Sequence, residues 1–112
     1  MIGVVRAADV EPVEMVPGVW RRTLLWGERV MVVHFTLEEG AVVPLHRHLQ
    51  EQAGYVAEGE LSMTVAGQTR PVRAGESYLA PANVEHGATA VKRTVVIDVF
   101  SPPREDYKVE RS

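Results

Sequence analysis

Turn-forming residues divide this chain into short apolar runs, and this rhythm constrains the fold more than any other feature. Gly, Pro or Asn recurs about every eight to twelve residues, between segments rich in Val, Thr, Tyr and Phe. No segment carries a sustained apolar repeat at three and four residues with helix-capping residues at its ends. The pattern predicts an all-β fold, a sandwich or barrel of short antiparallel strands, with at most one or two helical turns near either end. The predicted strands lie within residues 19–27, 28–40, 53–59, 60–67, 68–75, 77–90 and 93–103.

The length of 112 residues predicts one domain, because it suffices for a single hydrophobic core and not for two. We expect residues 1–112 to form this domain, with the barrel over about residues 28–101. An all-β domain of this size presents exposed strand edges. We therefore expect a homodimer in which an early strand extends the sheet of the neighbour.

Composition narrows the function classes. The chain has no cysteine, so any metal would be held by nitrogen and oxygen ligands. Its 12 basic and 15 acidic residues are scattered over both halves, so we expect no nucleic-acid partner. The N-terminus lacks a signal-peptide pattern, and apolar runs are far shorter than the roughly 20 residues of a membrane helix. We therefore expect a cytoplasmic protein without a membrane partner.

Two of the four histidines are separated by a single residue. On an extended strand, His46 and His48 would place both imidazoles on one face, roughly 7 Å apart. Gln52 follows after a predicted turn that brings a new strand back beside the first, and His86 precedes another predicted strand. Three neutral imidazoles and one side-chain oxygen suit a divalent transition metal, with one or two positions left for water or substrate.

The spacing around these residues resembles the first sequence motif of the cupin superfamily. Residues 40–59 read glycine, five residues, His46, one residue, His48, three residues, Gln52, six residues, glycine. Gln52 stands where cupins usually have Glu. Fifteen residues separate Gly59 from Gly75, which matches the short spacing of compact microbial single-domain cupins.

The second cupin motif has a similar match. Residues 75–86 read glycine, five residues, Pro81, one residue, Asn83, two residues, His86. Asn83 replaces a usual glycine, a mild departure because Asn also tolerates positive φ. Ala90 replaces a usual asparagine. The resemblance implies a cupin fold, a double-stranded β-helix or jelly-roll-like barrel, with the metal inside.

A longer pattern is similar to the small cupins of the pectin-degradation type, the KdgF group. It consists of His46-x-His48-x-x-Glu51-Gln52 followed by Asp98-Val-Phe100-Ser-Pro-Pro-Arg104. Members of that group are metal-dependent and convert the unsaturated uronate released from pectin or alginate into its linear keto form. The resemblance therefore implies ring opening or isomerisation of a small acidic sugar.

The amide ligand has a consequence for the chemistry. With Gln52 in place of a carboxylate, the protein leaves the charge of the metal uncompensated, which favours an anionic substrate. Non-haem iron oxygenases usually combine two histidines with a carboxylate, so a metal-dependent dioxygenase is the second hypothesis. A non-catalytic module that binds a small ligand is the third. The ligand set accepts nickel, zinc, manganese, iron or copper, so it does not identify the metal.

Asp98 is the candidate acid–base group, because a charge within an apolar strand is costly unless it is paired or faces a wet cavity. Alternation places it on one face with Val96 and Phe100, and Phe100 would form an apolar wall for substrate. Arg104 would bind a substrate carboxylate. Structural pairing of Asp98 with Arg73 or Arg104, and a solvated tail after residue 103, are the alternatives.

Other polar and aromatic residues have simpler interpretations. Glu51 lies one position off the ligand motif, and we expect an exposed ion pair there. His34 is expected to be an ordinary strand residue, with lining of the pocket as the alternative. Packing in the core or in a dimer interface is expected for Trp20 and Trp26 rather than stacking against a sugar, and Tyr55 and Tyr78 are expected to be packing residues within strands.

Overall fold

Ten strands and two one-turn 3₁₀ helices build residues 3–109, the part of the chain that the computed structural model describes. The strands are β1 (Val13–Val16), β2 (Val19–Trp26), β3 (Met31–Leu37), β4 (Val42–His46), β5 (Glu51–Glu58), β6 (Glu60–Val65), β7 (Gln68–Arg73), β8 (Ser77–Ala80), β9 (His86–Ala90) and β10 (Thr94–Ser101). The 3₁₀ helices, Ala7–Asp9 and Glu105–Tyr107, lie near the two ends of the chain, as the sequence predicts.

The strands form two antiparallel sheets that enclose a barrel. The six-stranded sheet has the order β1-β2-β3-β10-β5-β8, and the four-stranded sheet has the order β4-β9-β6-β7. The chain crosses between the sheets after β3, β4, β5, β7, β8 and β9, which is the jelly-roll connectivity expected of the fold. The all-β fold class is therefore confirmed. The prediction that β5 returns beside β4 is wrong, because β5 lies in the opposite sheet between β10 and β8.

The core follows from strand alternation. Alternate residues of β3 from Met31 to Leu37 are buried between the sheets, and so are alternate residues of β10 from Thr94 to Phe100. Leu61 and Met63 of β6 point inward from the other sheet. Burying one such side chain fully contributes roughly 1.5–3 kcal/mol, so the core is the main source of stability.

The first strand lies at the edge of the six-stranded sheet, paired only through β2. This is the edge at which the predicted dimer would extend a sheet. Residues Val19 and Tyr107, on either side of the 28–101 segment, also belong to the buried cluster. Within residues 3–109, none of the helices has the length and apolar character needed to cross a membrane.

Candidate metal centre and active site

Three histidines meet at one end of the barrel. His46 is the last residue of β4, His86 is the first residue of β9, and the two pair across the four-stranded sheet. His48 lies in the loop after β4, so the expectation that it sits on the strand is wrong. The ring centroids are 5.4 Å apart for His46 and His48, 4.4 Å for His46 and His86, and 4.8 Å for His48 and His86. Their possible ligand atoms lie within 4.8 Å of one another. We call these three residues the imidazole wall.

Each imidazole is held by a backbone carbonyl two residues away in sequence. The hydrogen-bonded pairs are His46 with Pro44 (2.8 Å), His48 with Gln50 (3.0 Å) and His86 with Val84 (3.0 Å). A carbonyl oxygen can only accept, so each Nδ1 carries a proton, and in the neutral ring Nε2 then keeps a lone pair. The Nε2 of His86 is buried and has no hydrogen-bond partner among residues 3–109. This tautomer is the one in which imidazole binds a metal through Nε2.

The backbone around the wall sets these positions. Asn83 has a φ of 61°, the conformation that the motif requires, and its N–H donates to the carbonyl of His48 at 2.8 Å. This bond ties the loop of His48 to the loop that carries His86. Gly87 lies against β4, where a methyl group would stand 2.8 Å from the carbonyl oxygen of Val43. Only glycine permits this close approach of the two strands.

Burial keeps two of the imidazoles neutral. Desolvation lowers the pKa of His48, and the nearby Arg104 guanidinium lowers it further. Desolvation also lowers the pKa of His86, opposed by its backbone hydrogen bond and reinforced by the neighbouring histidines. Neutral imidazoles are the metal-binding form, so the site is prepared for a cation at neutral pH.

The six-stranded sheet supplies the facing wall. Gln52, Tyr78 and Asp98 lie on the adjacent strands β5, β8 and β10 and line the same cavity. The Tyr78 hydroxyl donates to Oδ1 of Asp98 at 2.5 Å, and Nε2 of Gln52 donates to the Tyr78 oxygen at 3.1 Å. Oε1 of Gln52 then lies 3.1 Å from Nε2 of His48. We call these three residues the carboxylate wall.

Tyr78 is the site residue that sequence reasoning missed, because it was assigned to packing. A signal for it was present in Gly54, a glycine inside a strand. Gly54 pairs with Tyr78 on one side and with Asp98 on the other. A methyl group there would overlap the Tyr78 ring and lie 2.5 Å from Oδ1 of Asp98. The absent side chain is what lets Tyr78 cross β5 and reach the carboxyl group.

Asp98 is only 4% exposed, and its environment changes its acidity. Burial raises the pKa of Asp98 to about 6, while hydrogen bonds from Tyr78 and Gln52 act in the opposite direction. Burial and the adjacent carboxyl group raise the pKa of Tyr78 well above its usual value, so the phenol keeps its proton. The alternative pairing with Arg73 is wrong, since Arg73 lies beside Glu60 at 3.5 Å.

The segment after β10 closes the cavity. Arg104 donates from Nη1 to the Tyr107 hydroxyl at 3.0 Å and stacks 4.0 Å from the centre of the Tyr107 ring. Tyr107 is buried and packs edge-on against Phe100. Only 16% of the Arg104 side chain is exposed. The alternative of a solvated tail is therefore wrong for this segment.

The cavity encloses about 200 Å³. This is less than the roughly 300 Å³ at which pockets for drug-sized molecules begin, so it suits a small ligand. The predicted site residues found in its lining are His46, Gln52, His86, Asp98, Phe100 and Arg104.

The remaining candidates lie elsewhere. His34 points away from the buried face of β3 and does not line the cavity. Burial and the nearby Arg22 guanidinium lower the pKa of its imidazole. Tyr55 is 48% exposed, so it is not a residue of the buried core. Glu51 is exposed at the start of β5. Trp26 packs at the margin of the core, and Trp20 is half-buried.

Comparison with known proteins agrees with this geometry. The family model described as "Cupin domain" matches residues 33–100. The pectin degradation protein KdgF of Dickeya dadantii is 32% identical over 96 residues, which cover 84% of this chain and 87% of that protein. The structure of KdgF from Halomonas sp. superposes with a TM-score of 0.91 at 29% identity, covering 96% of this chain and all of that one.

A second curated relative is longer. H2HPP isomerase of Bacillus subtilis is 40% identical over 101 residues, which cover 80% of this chain and 42% of that protein. The resemblance of residues 40–59 and 75–86 to the two cupin motifs therefore reflects membership of the cupin family. The chain belongs to the cupin family and is a KdgF-like member of it.

Proposed function

We propose that this protein is a divalent-metal-dependent cupin enzyme that opens and isomerises the ring of a small acidic sugar, an unsaturated uronate. The observation that carries the proposal is the meeting of the two walls. Unprotonated imidazole nitrogens face a buried carboxyl group whose pKa is near 6, inside a cavity that a guanidinium closes. Such a site combines a receptor for a cation, a proton carrier and a receptor for an anion.

The chemistry of the donor atoms supports the metal. Nε2 of His48 and Oε1 of Gln52 each present a lone pair, and they lie 3.1 Å apart. Two acceptors at this distance repel unless a proton or a cation lies between them, and burial disfavours protonation of His48. The separation also matches two neighbouring ligands that are each about 2.1 Å from one ion. We propose His46, His48, Gln52 and His86 as the ligands of nickel, zinc, manganese, iron or copper.

Asp98 is proposed to move the proton. A divalent ion in this site would polarise a substrate oxygen as a Lewis acid. In the ring opening, the anomeric hydroxyl at C1 loses its proton, the bond between C1 and the ring oxygen breaks, and C4 gains a proton. The product has carbonyl groups at C1 and C5, and no oxidant or reductant is consumed. A carboxyl group with a pKa of about 6 accepts and returns a proton near neutral pH.

Phe100 and Arg104 are proposed to bind the rest of the substrate. Phe100 is 1% exposed and offers an apolar surface beside Asp98. Arg104 lies 5.7 Å from the Phe100 ring centre and lines the same cavity. Its Nε and Nη2 already donate to Asp106 at 3.3 and 3.0 Å, so the uronate carboxylate would bind the remaining N–H groups of Nη1 and Nη2.

The relatives support an isomerisation over an oxidation. One is named for pectin degradation and another for isomerase activity. The ligand set here has an amide where the usual oxygenase site has a carboxylate. A dioxygenase and a non-catalytic binding module are the competing outcomes.

The test is an anaerobic assay of the metal-loaded protein on an unsaturated uronate, followed by NMR of the product. We expect full turnover without oxygen, loss of turnover with a chelator, and a 10²–10⁴-fold lower kcat for Asp98→Asn. Asp9→Asn, on an exposed 3₁₀ turn, is the control variant. Turnover that requires oxygen would indicate the dioxygenase, and tight carboxylate binding without turnover would indicate the binding module.

The predicted homodimer is also a proposal. An unpaired edge at β1 favours sheet extension by a second copy of the chain. Light scattering at micromolar concentration is expected to give twice the chain mass of 12.4 kDa. A monomer at that concentration contradicts the proposal.

A further inference from the structure

We propose that Tyr78 is a positioning residue that locks the Gln52 amide with its oxygen toward the imidazole wall. The inference rests on the metal site of the proposed function. It concerns a residue that touches neither the imidazoles nor, on the geometry described, the ion. Its effect would pass through the orientation of a single side-chain amide.

The lock follows from the direction of each hydrogen bond. An ionised Asp98 can only accept, so the one hydroxyl proton of Tyr78 points to Oδ1 of Asp98. The Tyr78 oxygen is then left as an acceptor, and Nε2 of Gln52 donates to it at 3.1 Å. The amide nitrogen faces the tyrosine, so the amide oxygen must face His48.

The alternative orientation of the Gln52 amide, turned by about 180°, shows what the hydrogen bond to Tyr78 prevents. A flipped Gln52 would place its oxygen against the Tyr78 oxygen, which has no proton left to donate. The same flip would turn the amide nitrogen toward Nε2 of His48, where the 3.1 Å separation suits an N–H to N hydrogen bond. That bond would satisfy the imidazole lone pair and remove two ligands from the metal at once. The hydroxyl of Tyr78 therefore opposes a competing state of the metal-free protein, together with Asp98, which also accepts a hydrogen bond from Gln52.

Strand geometry makes the contact possible. Tyr78 and Gln52 are 26 residues apart, and the ring reaches the amide only because Gly54 leaves the position between them open. Tyr55, next to that glycine, points to the outside of the sheet. It has the same chemistry on the opposite face and serves as the matched control.

The first measurement is the affinity of the metal-free protein for Zn²⁺ or Ni²⁺, determined by chelator competition at pH 8. We expect Tyr78→Phe to bind the ion 10–100-fold more weakly than wild type, and Tyr55→Phe to bind it normally. In a Gln52→Ala background, Tyr78→Phe should cost less than about threefold, because the side chain through which it acts is gone. An equal loss in both backgrounds would show a general structural effect and overturn the inference.

The second measurement needs neither metal nor activity. In ¹⁵N-labelled metal-free protein, the Gln52 side-chain NH₂ protons should show NOEs to the Tyr78 ring. In Tyr78→Phe these NOEs should shift to the His48 ring, and the His48 Nε2 resonance should move as it accepts a hydrogen bond. A Gln52 NH₂ group that faces His48 in the wild-type protein overturns the inference even if the variant does not fold. A wild-type protein that binds no metal contradicts the proposed function instead, while the NOEs still test the lock.

Discussion

The two walls of the cavity are built by different means. Every imidazole of the imidazole wall is fixed by a hydrogen bond to a carbonyl two residues away. In the carboxylate wall, the hydrogen bonds join residues 20 and 26 positions apart on three strands. The first wall is therefore a property of two short segments, whereas the second exists only when one sheet has assembled.

This difference teaches how the two kinds of chemistry are separated. The imidazole wall presents lone pairs and would hold the cation, whereas the carboxylate wall orders protons and would move them. Among the hydrogen-bonded pairs of residues 3–109, the contact between His48 and Gln52 joins the two. Apart from Gln52, which is also a proposed ligand, and Tyr78, which acts through it, substitutions in one wall should leave the main property of the other intact, and the predictions below test that separation.

The largest effect is expected from His86→Ala. Its Nε2 is a buried ligand atom without another partner among the described residues, so its removal should abolish stoichiometric metal binding and turnover together. The carboxylate wall should persist, with the Gln52 to Tyr78 NOEs unchanged. Metal content by elemental analysis is the measurement, and His34→Ala, outside the cavity lining, is the control. Retention of one ion per chain would contradict the ligand role.

The second largest effect is expected from Gly54→Ala, which disrupts the hydrogen bonds of the carboxylate wall instead of the imidazole wall. The new methyl group overlaps the Tyr78 ring and separates the hydroxyl from Asp98. Overpacking and an unsatisfied buried carboxyl group should together lower the free energy of unfolding by about 3–5 kcal/mol. Urea denaturation measures this. Gly27→Ala, where a methyl group meets nothing within 4 Å, should change it by less than about 1 kcal/mol. Equal values for the two variants would show that Gly54 is not needed for the contact.

A smaller and pH-dependent effect is expected from Asp98→Asn in metal-free protein. The pKa of Asp98 is raised from 3.8 to about 6 in the fold, so its contribution to stability is complete below pH 3.8 and is lost as the pH rises through 6. Asn does not titrate. The variant should therefore gain up to about 3 kcal/mol relative to wild type between pH 4 and pH 7, and then no more.

Denaturant titrations at several pH values would measure this gain. Asp9→Asn is the matched control at an exposed position. A stability difference between Asp98→Asn and wild type that does not vary with pH would mean that the carboxyl group is solvated rather than buried.

The smallest effect is expected from Tyr107→Phe, which touches neither wall directly. It removes the hydroxyl that accepts from Arg104 at 3.0 Å and keeps the stacked ring. Loss of one such hydrogen bond corresponds to about 0.5–1.5 kcal/mol, so KM for the uronate should rise about 2–12-fold with kcat and metal affinity unchanged. Steady-state kinetics of Tyr107→Phe, with Tyr55→Phe as the control variant, would measure this change in KM. A fall in kcat without a change in KM would assign Arg104 a role in the chemical step.

Sequence alone determined the all-β class, the domain's turn rhythm and the histidines of the imidazole wall. Those features depend on local rules, namely strand alternation, turn residues and the fixed spacing within two motifs. Alternation also placed Asp98 and Phe100 on one face, and the structure shows that this face of β10 is buried. What the sequence left open was the identity of the strand that faces the metal.

Tertiary structure decided the rest. It placed β5 in the sheet opposite β4, brought Tyr78 across Gly54 to Asp98, and folded Tyr107 back so that Arg104 closes the cavity. The physical reason is that these contacts come from the pairing of strands far apart in the chain and from the packing of two sheets. A residue's local pattern is the same whether its hydroxyl meets solvent or a buried carboxylate, so only the assembled barrel distinguishes Tyr78 from Tyr55.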